Sequence, residues 1–175
     1  MIVGSLTRKG LIAACAAGAV AVAAIAYGVL RSVAGVEPAP QVSYTLLNGT
    51  PAHTAQLTGR VVLVNFWATS CAICLEEMPG LVATHARFKA RGFETLAIAM
   101  GYDAPFNVVR YAEAHALPFQ VAIDHDGSLA ERFGKVAATP TSVLINRRGE
   151  IVERHVGRLD FAALNTSIER LLAAP

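Results

Sequence analysis

The sequence predicts an α/β domain with a parallel core and a closing antiparallel hairpin, preceded by one membrane-spanning helix. Three observations carry that prediction. Apolar, β-branched runs alternate with segments of helical spacing along most of the chain. The run Val61-Val-Leu-Val-Asn-Phe-Trp67 reads as a buried strand leading into a helix, with Cys71 and Cys74 at the junction. Gly10 to Leu30 carries no charge, and about 20 apolar residues in a helix span the roughly 30 Å hydrocarbon core of a bilayer.

Arg8 and Lys9 precede the apolar run. By the positive-inside rule, residues 1–9 stay in the cytoplasm, residues 10–31 form the anchor and the remainder lies outside. Arg31 on the far side is a minor counterweight. A cleaved leader is the rival reading, with Ser32-Val33-Ala34 as its cleavage site. The apolar region of such leaders is only about 7–15 residues long. Ile12-Ala13-Ala14-Cys15 resembles a lipoprotein signal, but the long apolar run follows the cysteine instead of preceding it. Cys15 therefore reads as a small apolar residue in the span. Residues 32–40, with Glu37-Pro-Ala-Pro40, read as a stiff linker. Residues 41–175 form the soluble domain, long enough to bury its own core.

Within that domain, Val42 to Leu47 alternates and ends at Asn48-Gly49, a hairpin-turn signal, with His53 to Leu57 as the returning strand. Gly59-Arg60 turns the chain into the strand Val61–Trp67. Cys71 to Ala90 reads as a helix, because Met78, Leu81, Val82, His85 and Phe88 recur at helical spacing and Gly92 closes it. Pro79 is expected to kink it. Phe93 to Met100 is a second buried strand, and Pro105 to His115 a helix ended by Leu117-Pro118. Phe119 to Ile123 is a short strand, and Asp126-Gly127 turns into a helix over Ser128 to Phe133. Thr141–Ile145 and Glu150–Val156 are strands joined at Arg148-Gly149. Asp160 caps a last helix reaching Leu172, with Phe161, Leu164, Ile168, Leu171 and Leu172 on its apolar face.

Fifteen Lys and Arg against 13 Asp and Glu give a formal charge of +2 with no basic cluster, which argues against a nucleic-acid partner. Of the three cysteines, only Cys71 and Cys74 are close enough in sequence to act as a pair. The thiolate is the nucleophile in disulfide exchange. If Cys71 sits at the first turn of a helix, free backbone N–H groups and the helix dipole favour its anion. Ser70 or Thr69 is the candidate N-cap. Cys71 is then the exposed attacker and Cys74, one turn in, the buried resolving thiol. A structural zinc site would need two further ligands, and no second cysteine pair or closely spaced histidines supply them. An inert disulfide is the remaining alternative. His53, His85, His115, His125 and His155 are scattered and read as surface or boundary residues. No metal or cofactor is called for.

Three collinear stretches resemble a known family: Asn65-Phe-Trp-Ala-Thr-Ser-Cys-Ala-Ile-Cys-Leu-Glu-Glu-Met-Pro79, Leu117 to Asp124 and Ala138 to Val152. They are similar to the membrane-anchored, thioredoxin-like proteins of the TlpA/ResA type, over nearly the whole soluble domain. The resemblance implies a thioredoxin fold with an N-terminal β-hairpin extension and an inserted αβ unit. It implies a thiol:disulfide oxidoreductase using Cys71 and Cys74. It implies a cis proline at Thr139-Pro140, in a loop that faces the cysteines and holds the substrate, with Trp67 beside them as a further substrate contact; a proline that merely starts the next strand and a core tryptophan are the plain alternatives. Glu77 aligns with a carboxylate that handles protons near the pair; a solvated surface carboxylate is the alternative. Asn65 replaces the buried Asp of ordinary thioredoxins and reads as structural. Leu75 stands where the family often has a basic residue, so a less acidic Cys71 is expected than in strongly oxidising relatives.

The resemblance further implies a periplasm-facing reductant of client-protein disulfides, re-reduced by a membrane thiol donor. Clients would belong to cytochrome c maturation or copper-oxidase assembly. Ala137-Ala-Thr-Pro-Thr141 lacks the Gly-Ala-Pro-Glu stretch of the cytochrome-dedicated branch, which leaves both open. The alternative is a copper-binding assembly chaperone without redox turnover. Relatives of that kind use Cys-x₃-Cys and a distant His, whereas this chain has Cys-x₂-Cys. A thiol peroxidase would need a Pro/Thr-containing cysteine loop, which is absent.

Overall fold

A computed structural model describes residues 37–174. The anchor expected over residues 10–31, with Cys15, lies outside them. Among the described residues no helix is long and apolar enough to cross a membrane.

The strands are β1 (Glu37–Pro38), β2 (Ser43–Thr45), β3 (Pro51–His53), β4 (Val61–Trp67), β5 (Phe93–Met100), β6 (Gln120–Asp124), β7 (Thr141–Ile145) and β8 (Glu150–Val156). The helices are α1 (Ala72–Phe88), α2 (Pro105–Ala114), α3 (Ser128–Arg132) and α4 (Phe161–Ala173). Six strands form one sheet in the order β1-β8-β7-β4-β5-β6, and β2 pairs with β3 in a separate hairpin. β4, β5 and β6 run parallel, while β7 and β8 are antiparallel, as the strand–helix alternation predicts.

Every residue of β4 is buried, so the strand reads as a continuous apolar run with both faces covered. Its side chains still alternate. Val61, Leu63 and Trp67 join Met78, Leu81, Phe88, Val108, Leu164 and Ile168 in one core. Val62, Val64 and Phe66 join Tyr44, Leu129, Phe133 and the other residues of the second core. Gly80 lets α4 come close to α1: a Cβ there would lie 2.5 Å from the Phe161 ring. A Cβ at Gly101 would collide with the Asp124 backbone carbonyl where β5 ends beside β6.

The structure corrects the sequence reading at several places. Glu37 and Pro38, expected in the linker, pair with Ile151 and Glu150 on the edge of the sheet. Proline is tolerated at such an edge, because its missing N–H faces away from the ladder. The returning hairpin strand is Pro51–His53, and Thr54–Leu57 is a 3₁₀ turn instead of strand. Local side-chain bonding ends the strand there: the His53 ring accepts from the Ala55 N–H, and Gln56 accepts from the His53 N–H. α1, with Pro79 inside it, ends at Phe88 and hands over to a 3₁₀ turn at Lys89–Arg91, short of the expected end at Ala90. His85 is not at the surface. Its helical spacing was the better guide, for it is 1% exposed, with Nδ1 3.2 Å from Thr95 Oγ1 and its ring 5.5 Å from Phe119. Burial pushes its pKa down, against the nearby Glu94 carboxylate.

Candidate active site

β4 delivers the chain to the dithiol, and α1 begins immediately after Cys71. Cys71 is itself the N-cap of α1, in extended conformation, and its Sγ accepts from the Cys74 N–H at 3.2 Å. Thr69 and Ser70, the expected caps, do not fill that role. Thr69 is held elsewhere: its N–H and hydroxyl both donate to the Asp103 carboxylate, the latter at 2.6 Å. Asp103 is buried just beyond β5 and clamps the turn that presents Cys71.

Cys71 and Cys74 are joined as a disulfide with 5.2 Å between their Cα atoms. The two sulfurs differ in environment. Cys71 is half-buried, whereas Cys74 is 2% exposed and part of the core. Only one end of the pair therefore faces an incoming partner.

The Thr139–Pro140 bond is cis. Phe66 pairs with Thr141, so the antiparallel register carries this loop to the same end of the sheet as the cysteines. Pro140 is buried and Thr139 half-exposed. The Tyr102 hydroxyl lies 3.2 Å from Thr139 Oγ1. The Pro140 carbonyl accepts from the Gly157 N–H at 2.8 Å.

Glu77 is 3% exposed, which removes the alternative of a solvated surface carboxylate. One oxygen accepts the Leu159 N–H, and the other is buried with no protein partner. Burial pushes its pKa up; the Leu159 N–H and Arg158 pull the other way. Arg158 is meanwhile paired with Glu76 at 2.6 Å. The folded chain holds the Glu77 proton more tightly than the unfolded chain does. That contribution to stability is complete below the ordinary carboxylate value and is lost as pH rises through the raised one. Glu77→Gln has no proton to lose there. Urea unfolding at about pH 4 and about pH 7 should show the variant gaining on the wild type as pH rises. A difference that stays constant with pH would reject this.

Asn65 is buried, and its amide donates to Ser142 Oγ at 2.9 Å, tying β4 to β7 as a structural residue. Trp67, expected to touch substrate, has no exposed surface. Its ring packs 5.4 Å from Tyr111 of α2, so it supports the site from behind and offers a client no contact. Asp103, Tyr102 and the Arg158–Leu159 segment had no part in the sequence reading. The position of Asp103 just past the C-terminal end of a parallel strand was the available signal.

The comparisons agree with this geometry. The Redoxin family model matches residues 35–168. The thiol-disulfide oxidoreductase ResA of Halalkalibacterium halodurans is 32% identical over 111 residues, 63% of this chain and 62% of that protein. The chain thus spans less than two thirds of that relative's length. The ResA of Bacillus thuringiensis is 33% identical over 119 residues, 68% of each chain. A thiol:disulfide interchange protein of the thioredoxin family from Chlorobium tepidum superposes with a TM-score of 0.73 at 28% identity, over 79% of this chain and 97% of that one. A cysteine pair at a helix N-terminus, a cis-proline loop at the same end of the sheet and a match over most of the described domain agree: the chain belongs to the Redoxin family, among its ResA-like, thioredoxin-fold members.

Proposed function

We propose that this thiol:disulfide oxidoreductase reduces disulfides of client proteins outside the cytoplasmic membrane, held there by residues 10–31. The observation that carries the reading is the asymmetry of the pair, with Cys71 half-buried at a helix N-terminus and Cys74 at 2% exposure.

In the reduced protein the Cys71 thiolate attacks one sulfur of a client disulfide. A Cys71–client disulfide forms, and the other client sulfur leaves as a thiolate. Cys74 then attacks Cys71 Sγ and expels the second client sulfur. The client has gained two electrons, and the protein is left as the Cys71–Cys74 disulfide. Thr139, before cis-Pro140, offers a half-exposed backbone edge against which an extended client segment can pair. Glu77 is one turn beyond Cys74 on α1. Its raised pKa suits it to exchange a proton with the buried thiol. A membrane thiol donor returns two electrons after each cycle. Clients in cytochrome c maturation or copper-oxidase assembly suit this chemistry, since their metal-binding cysteines must be kept reduced in an oxidising compartment.

Equilibration with glutathione tests the direction. A reductant should poise near the thioredoxin end of the range, about −270 mV, and a value near about −120 mV would mark an oxidant and overturn the reading.

A further inference from the structure

A cavity of about 390 Å³ opens beside the dithiol, lined by Thr69, Leu75, Asn107, Arg110, Tyr111 and His115, together with Ala114. Thr69 and Leu75 flank the Cys71–Cys74 segment in sequence, so the cavity borders the two ends of that segment on the α2 side. No carboxylate lines it. The nearest acid in the turn below is Asp103, whose two oxygens are taken by the Thr69 N–H and hydroxyl.

Arg110 is the one formally charged side chain in its lining, and the Asn107 amide and the Tyr111 hydroxyl can also donate. Arg110 is exposed, and its guanidinium lies 5.5 Å from the centre of the Phe106 ring, which steadies it over the surface. Tyr111 is held between Trp67 on one side and a stacked His115 on the other, the latter at 4.0 Å. Burial pushes the Tyr111 pKa up, so its hydroxyl stays a neutral donor. Phe106 and Tyr102, 68% and 66% exposed, extend an apolar shelf from the same segment. The larger cavity, of about 490 Å³, lies at the opposite end of the sheet, beside Glu94 and Gln120, and mixes Lys89 with Glu94 and Glu113. It has neither the single sign of charge nor the proximity to the sulfurs.

We propose that the cavity on the α2 side is a client subsite for a carboxylate, supplied by an acidic residue flanking the reactive cysteine, with Arg110 as the specificity-determining residue. The inference rests on the disulfide-reductase reading above. Backbone pairing at Thr139 is blind to side chains, whereas a guanidinium on the wall of this cavity distinguishes acidic from neutral and basic clients.

Three disulfide peptides that differ only in Glu, Gln or Lys beside the cysteine test it, with kcat/KM for reduction as the readout. The wild-type protein should prefer Glu to Gln and Gln to Lys. Arg110→Gln should cut kcat/KM for the Glu peptide about fivefold, the scale of a partly exposed ion pair, and leave the Gln peptide within about twofold. Arg110→Glu should reverse the Glu and Lys order, and high salt should flatten it. Arg110 is exposed, so neither change threatens the fold. Equal rates on the three peptides, or equal losses on all three in Arg110→Gln, overturn the subsite while leaving the reductase standing. A wild-type protein that reduces none of them overturns both.

Discussion

Cys71→Ser is expected to bring disulfide reduction down to the uncatalysed background, whereas Cys74→Ser is expected to stop it half-way. The difference follows from exposure. Cys71 is half-buried at the mouth of the site, so it alone can reach a client sulfur, and serine at that position supplies no thiolate. Cys74, at 2% exposure, meets only Cys71. Without it the first exchange still proceeds, but nothing expels the client. Non-reducing mass spectrometry of Cys74→Ser with a disulfide client should show a one-to-one adduct that dithiothreitol releases. The adduct should be missing from Cys71→Ser. An adduct through Cys74 in the Cys71→Ser protein would show that the roles are reversed.

Trp67→Ala should cost about 3–5 kcal/mol of folding stability, the range for deleting a large buried aromatic. Trp67 is completely buried, ends the central strand and supports Tyr111. Its replacement leaves a cavity that the surrounding sheet and α1 cannot fill without moving the active-site turn. Domains of this size are stable by only about 5–15 kcal/mol, so the loss is a large share of the total. The urea midpoint should fall with an unchanged slope. Trp67→Phe should recover part of the midpoint, and its KM for a peptide client should match the wild type. A raised KM at unchanged stability would restore the direct contact with substrate that its burial argues against.

The sequence made the frame legible wherever one strand or helix decides its own fate. β4, β5, β7 and β8 are found at the predicted residues, because long β-branched runs bounded by Gly and charged turns have few other options. Asp160 caps α4 as its spacing indicated, accepting from Ala162 and Ala163. The cis bond at Thr139–Pro140 came from family resemblance alone, since a proline starting a strand looks the same in either isomer. The relations that build the site were less legible. Asp103 reaches Thr69 across 34 residues, and Glu77 meets the Leu159 N–H across 82. No periodicity encodes such distances. Local patterns misled in the other direction, too. The composition of Glu37–Pro40 reads as a stiff linker, yet the exposed edge of β8 recruits its first two residues. Thr69 and Ser70 have cap-forming side chains, but Asp103 engages Thr69, and with the helix starting at Ala72 the cap position falls on Cys71, whose sulfur fills it.

The short stretch Gly157 to Leu159 touches both walls of the site. Gly157 holds the Pro140 carbonyl, Arg158 pairs with Glu76, and Leu159 holds the Glu77 carboxylate. Three consecutive residues thus act as a spacer bar between two jaws. The width of the jaws is gauged by the length of one tripeptide, and neither can travel far without dragging the other. Any give needed for clients of different bulk has to come from the remaining side, where Tyr102 and α2, with its exposed Phe106 ring, form the free lip.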